Sequence, residues 1–138
     1  MDREKIFETA QKHRRNLHRI PEIAFEEVKT ADYITEQMRK LDYEIERCCK
    51  TAVIAYKKGK IGKKTIAFRA DIDALRIEEQ NHIDYKSTHQ GFMHACGHDG
   101  HMAIMLTLAE YFTEIEHEDN ILFVFQPGEE GAGGAMKI

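Results

Sequence analysis

The segment Asn120-Ile121-Leu122-Phe123-Val124-Phe125 sets five apolar residues in a row with no polar residue among them. A strand of this kind has no face to offer to water, which favours a position inside a sheet covered on both sides. Just before it, Met102, Ile104, Met105, Leu108, Ala109 and Phe112 recur at helical spacing and predict a well-buried helix over residues 99–112. Helices beside buried strands are the ingredients of an α/β domain. Upstream, Ile6, Phe7, Ala10 and Leu17 predict a helix over 3–20, with Asp2 as its N-cap and Pro21 as its stop. Val28, Ala31, Ile34, Met38 and Leu41 predict a second helix over 26–41. The period then falls to two around Tyr43, Ile45 and Arg47, and short strands follow at 52–56 and 65–70. The Lys- and Gly-rich residues 57–64 between them are expected to form a solvated hairpin turn.

A chain of 138 residues is about one domain. Its 20 basic against 24 acidic residues leave a formal charge of −4, and no basic stripe is available to neutralise a phosphate backbone, so no nucleic-acid partner is expected. No membrane partner is expected either. The apolar runs are far shorter than the ~20 residues of a spanning helix, and Met1-Asp2-Arg3-Glu4 has none of a signal peptide's apolar character, which makes the cytoplasm the default location. Three Cys, two of them adjacent at Cys48 and Cys49, make no disulfide framework.

The chemistry-bearing residues fall in three clusters, each at the carboxyl end of an expected strand or the start of an expected helix, where open α/β sheets hold their ligands. Asp71-Ile72-Asp73 follows the strand at 65–70, and two carboxylates at that spacing can converge on one cation. His94-Ala95-Cys96-Gly97-His98-Asp99-Gly100-His101 sets a thiol and an imidazole two residues apart, a half-site for a borderline-soft divalent ion. No second Cys/His pair accompanies it, which argues for mixed ligands at a catalytic site rather than a closed structural one. His101, on the helix itself, reads as a packing or capping residue. Glu129-Glu130 follows the strand at 120–125; adjacent Glu side chains point different ways, so one can bind a metal while the other faces a metal-bound water. Residues 71–98 form a long polar loop between these clusters, in which Glu78, Glu79 and the stretch from His82 to His89 are expected to line or cover the site. His13 and His18 on the first helix read as surface or capping residues.

Arg69-Ala70-Asp71-Ile72-Asp73-Ala74-Leu75, Met93-His94-Ala95-Cys96-Gly97-His98-Asp99-Gly100-His101 and Phe125-Gln126-Pro127-Gly128-Glu129-Glu130-Gly131 together resemble the three N-terminal signatures of the metal-dependent N-acyl-amino-acid amidohydrolases. That group includes aminoacylases, hippurate hydrolases, auxin-conjugate hydrolases and N-acetyldiaminopimelate deacetylases. Leu17-His18 and Pro21-Glu22 match its opening helix and turn, which read as structural. The resemblance implies the N-terminal part of a di-metal exopeptidase-like catalytic domain of the α/β class, with a mixed sheet flanked by helices, over residues 1–138. It implies two divalent ions (Zn, Mn, Co or Ni) with Cys96, His98 and Glu130 as ligands and Glu129 as the general base. Asp71 matches the active-site aspartate and Asp73 is its near neighbour, so that Asp71, Asp73, Glu129 and Glu130 form the expected catalytic set. The implied partner is a small N-acyl amino acid. Ile77-Glu78-Glu79-Gln80 and Gly131-Ala132-Gly133-Gly134-Ala135 point to N-acetyldiaminopimelate as the leading candidate.

The chain departs from the family pattern at Arg76, where Pro is common, and at Gly128, where Ala is common. Family members also continue beyond the matched region, with two further His ligands and an inserted smaller domain that helps bind substrate and form a homodimer. An alternative reading is therefore a non-catalytic remnant with weak or no metal binding. Another is a thiol amidase with Cys96 as nucleophile and His94 or His98 as base; it leaves both carboxylate pairs without a role.

Overall fold

A computed structural model describes residues 1–131 and 133–138; Ala132, within the glycine-rich stretch noted above, lies outside the described residues. The elements in chain order are α1 (Arg3–His18), α2 (Val28–Lys40), β1 (Glu44–Cys48), β2 (Ala52–Lys57), β3 (Thr65–Asp71), α3 (His98–Glu114), β4 (Asn120–Gln126) and a single 3-10 turn, Gly134–Met136. Among the described residues no helix is long and apolar enough to cross a membrane.

α1 and α2 start where a side chain can satisfy their free N–H groups. Asp2 accepts from the Lys5 amide at 2.9 Å and caps α1 as expected. The start of α2 is capped from a distance: the Glu22 carboxylate accepts from the Lys29 amide at 3.2 Å and the Thr30 amide at 2.9 Å. The Glu22 segment is thus structural. Gly97 opens α3 with φ 90°, a left-handed turn that admits the chain between Cys96 and His98 without a Cβ penalty.

The sheet is mixed, in the order β1-β2-β4-β3, with β1/β2 and β2/β4 antiparallel and β3/β4 parallel. Because β4 inserts between β2 and β3, residues 57–64 are not a hairpin turn. They cross from β2 past β4 to β3, pairing with the α3–β4 loop as Lys60 donates to the His117 carbonyl and Ile61 to the Glu118 carbonyl, each at 3.0 Å. The hairpin lies one step earlier, where Cys49 and Lys50 turn between β1 and β2 with φ of 49° and 71°. Neither Cys48 nor Cys49 is fully buried or fully exposed.

The three helices pack on one face of the sheet. Ile121, Phe123 and Phe125 of β4 and Val53 and Ala55 of β2 meet Leu17 of α1, Ile34 and Met38 of α2, and Met102 and Leu106 of α3 in one buried cluster. Burial of each large side chain contributes about 1.5–3 kcal/mol. On the opposite face, among the described residues, Leu122 and Val124 are half-buried and Thr65 and Ala67 are exposed. An unbroken apolar run states that both faces are apolar; it does not state what packs on the second.

Candidate metal centre

Parallel pairing puts the carboxyl ends of β3 and β4 side by side, with Asp71 opposite Gln126. The first and third clusters therefore emerge at the same edge of the sheet. The first turn of α3 delivers the second cluster to the same place, and His98 is where all three meet. Its Nδ1 donates to the Asp73 carbonyl at 2.8 Å and lies 3.3 Å from Asp73 Oδ1, which has no other partner. That leaves Nε2 as the nitrogen facing the site. Around it stand Asp71 Oδ2 at 3.7 Å, Glu130 Oε1 at 3.9 Å and Glu129 Oε2 at 4.0 Å.

Asp71 and Asp73, equivalent in the sequence, do different work. Both are buried, but Asp73 turns inward: besides His98, its Oδ2 accepts from the Glu130 amide at 2.9 Å, which fixes the loop carrying both glutamates. Burial opposes charge on Asp73, and His98 with the Glu130 and Glu129 amides outweighs it, holding the carboxyl below the usual range. Asp71 faces the open site.

Carboxylates dominate the electrostatics. The Asp73 hydrogen bond, with Asp71 adding to it against the effect of burial, pushes the His98 imidazole up to about 9. Cys96 is exposed, and the Glu130 carboxylate beside it, aided by slight burial and by neighbouring Glu129 and Asp71, raises the thiol. Four carboxylates around one imidazole and one thiol are a donor set short of positive charge. Ligand atoms of Cys96, His98 and Glu130 lie within 4.8 Å of one another, spacing that small side-chain rotations close onto a single divalent ion. These residues fit a divalent metal. The set does not resemble a thiol–imidazole pair: Cys96 lies beside a carboxylate, and both ring nitrogens of His94 are buried without a hydrogen-bond partner among the described residues.

The structure also corrects three readings of single residues. His101 does not merely pack or cap: Nδ1 meets Asp71 Oδ1 at 2.7 Å at the mouth of the site. The i,i+3 spacing from His98 on one helix face was the available signal. His18 is buried, not on the surface, with Nδ1 2.7 Å from Asp99 Oδ2 and Nε2 3.2 Å from Glu79 Oε1. His13 is buried as well, against the Tyr33 hydroxyl at 2.9 Å. Glu79 accordingly supports the site from within, while Glu78 accepts from the Gly91 amide at 2.6 Å and shapes the loop. Of the stretch from His82 to His89, Ser87 donates its amide to Glu79 at 2.7 Å and His89 Nδ1 meets the Pro21 carbonyl at 2.8 Å, so this part of the loop is tied to the opening turn. Sequence reasoning missed Glu27 altogether. Fully buried, it accepts from Thr51 Oγ1 at 2.5 Å and from the Gly128 amide at 3.0 Å, tying the glutamate loop to the start of α2.

The fold has counterparts among known proteins. A protein from Priestia megaterium called N-acetyldiaminopimelate deacetylase is 48% identical over 129 residues, covering 92% of this chain and 34% of that protein. An uncharacterized hydrolase of Staphylococcus epidermidis is 45% identical over 130 residues. The chain thus spans about a third of the length of the curated relatives it matches, 34% in each of these two. Among solved structures, the Bacillus subtilis YXEP protein, described as a dinuclear metal-binding peptidase, superposes with a TM-score of 0.91 at 38% identity over 99% of this chain and 39% of that one. A putative aminohydrolase from Staphylococcus aureus gives a TM-score of 0.90 at 37% identity over 97% of this chain and 38% of that one. Residues 67–138, which hold all three clusters, match the profile of Peptidase family M20/M25/M40. With more than half of its length inside that profile and its sheet and site residues arranged as described, the chain belongs to Peptidase family M20/M25/M40.

Proposed function

We propose that these residues form the N-terminal portion of the catalytic domain of a metal-dependent amidohydrolase that removes an acyl group from the amino nitrogen of an amino acid, with N-acetyldiaminopimelate as the first substrate to test. The observation that carries the reading is the convergence on His98 Nε2 of three carboxylates from two chain segments, with Nδ1 already committed to Asp73. The names of the relatives point to the amide substrate. The protein works in the cytoplasm, on a small N-acyl amino acid, and in its complete form as a homodimer.

Cys96, His98 and Glu130 hold the metal. A divalent ion bound there supplies Lewis acidity and lowers the pKa of water towards ~7. Glu129, on the adjacent residue and 42% exposed, holds its carboxylate free to take a proton from the attacking water and return it to the leaving amine. Asp73 keeps His98 in the tautomer that presents Nε2, and Asp71 faces the reacting centre.

Glu129→Gln tests the assignment. Turnover of N-acetyldiaminopimelate is expected to fall by about 10²–10⁴-fold with metal content unchanged. Undiminished turnover overturns the base role. Activity that survives a chelator overturns the metal reading in favour of Cys96 as nucleophile.

A further inference from the structure

The turn between β1 and β2 is built against local preference. Cys49 and Lys50 both take left-handed backbone, with φ of 49° and 71°, at positions where tight hairpins favour Asn or Gly. A departure of this kind points to a function of the residues that make it. Along an unbroken strand Cys48 and its successor would point to opposite faces. The left-handed turn at Cys49 ends that alternation and lays its thiol beside that of Cys48, the last residue of β1. Both side chains are half-buried, so a small reagent in solvent reaches them. The turn is held in place: the Cys49 thiol donates to the Lys137 carbonyl, and the Thr51 amide donates to the Cys49 carbonyl at 3.0 Å.

The donors select the ligand. Among the described residues, no His or carboxylate joins the two thiols in a cluster able to hold a metal, so a tetrahedral divalent ion would lack ligands here. Burial, with the Cys49 thiol and Glu46 adding to it, raises the Cys48 thiol, and a bare cation must displace the proton this thiol keeps at neutral pH. A trivalent arsenoxide meets neither obstacle. Its arsenic forms one bond to each sulfur, its bond to oxygen breaks, and the oxygen leaves as water carrying both thiol protons. Arsenic stays trivalent, and nothing is oxidised or reduced.

We propose that Cys48 and Cys49 form a dithiol site that captures a trivalent arsenical as a cyclic adduct of the two sulfurs. Capture takes the Cys49 S–H away from the Lys137 carbonyl, and so cuts a tie between this turn and the segment that follows the glutamate loop.

Phenylarsine oxide is the probe. In the wild-type protein it is expected to remove two thiols from reaction with dithiobis(nitrobenzoate), and intact mass is expected to show one phenylarsenic group per chain. The adduct survives excess glutathione, a monothiol, is stripped by ethanedithiol, and maps to the peptide holding Cys48 and Cys49. Cys48→Ser and Cys49→Ser are each expected to weaken capture by about 10²–10⁴-fold, because the second sulfur of a dithiol reacts at high effective concentration. Cys96→Ser retains capture. In urea the wild-type protein is expected to bind the probe more weakly, since the turn no longer holds the thiols together. Wild-type affinity in either single variant, loss of capture in Cys96→Ser, or equal affinity in urea overturns the site. So does a wild-type adduct that glutathione strips or that maps elsewhere, a result that depends on no variant being folded.

Discussion

The Nδ1 of His98 and the main-chain carbonyl of Asp73 meet at 2.8 Å across 25 residues of sequence, and this contact decides which nitrogen of the imidazole faces the site. A histidine that ligates a metal gains basicity and a fixed tautomer from such a partner. The same residue, through Oδ2, holds the Glu130 amide, so one aspartate orients two proposed ligands, one at the start of α3 and one in the loop after β4.

Asp73→Ala keeps the carbonyl that holds His98 and removes the carboxylate that holds the Glu130 amide, so it weakens metal binding without removing a ligand. Zn²⁺ affinity measured by calorimetry is expected to fall about 10–100-fold. Wild-type affinity in this variant shows that Glu130 is held by other means.

His18 bridges two fully buried carboxylates, Asp99 and Glu79, and can donate to both only as an imidazolium. The Asp99 hydrogen bond, aided by Glu79 and working against burial, raises its pKa accordingly. His18→Ala leaves both carboxylates inside without their shared cation, with Arg14 3.4 Å from Asp99 as partial cover. Urea denaturation is expected to show a loss of about 3–5 kcal/mol. A loss below about 1 kcal/mol contradicts the buried ion-pair account.

Glu27→Ala removes the acceptor for the Gly128 amide and the Thr51 hydroxyl in a site closed to water. The cost is about 1–3 kcal/mol for the stranded donors. Because Gly128 leads into Glu129-Glu130, metal affinity falls with it; a variant that loses stability while keeping wild-type affinity separates the loop from the metal.

His13 supplies a pH dependence remote from the site. Burial, with Lys12 and Lys40 adding to it, lowers its pKa from 6.5 to about 4. The unfolded chain therefore binds more protons between these values, and stability falls as pH drops from about 6.5 towards 4. At roughly 1.4 kcal/mol per pKa unit the loss approaches about 3 kcal/mol. Denaturation midpoints at neutral pH and near the lower limit are expected to differ less in His13→Gln than in wild type; equal slopes in both refute this origin.

The three clusters were legible because they sit at local features. Strand ends and a helix start show in the apolar pattern, and Asp71, Asp73, Cys96, His98, Glu129 and Glu130 come together at one edge as that pattern implied. Less was legible in the sheet. Residues 57–64 look like a hairpin turn because β2 and β3 are consecutive, yet β4 pairs with both and separates them.

The amino-acid sequence by itself determined which segments are helices and strands and which donor types gather at the strand ends, since each follows from periodicity, capping and residue chemistry within a few positions. Tertiary structure alone decided the strand order and the separate tasks of Asp71 and Asp73. It also decided that His18, Glu27 and His101 have buried or site-facing partners. A charged side chain looks solvated along the sequence; only long-range packing, which removes water and brings a partner from 24 to 101 residues away, makes it part of the site.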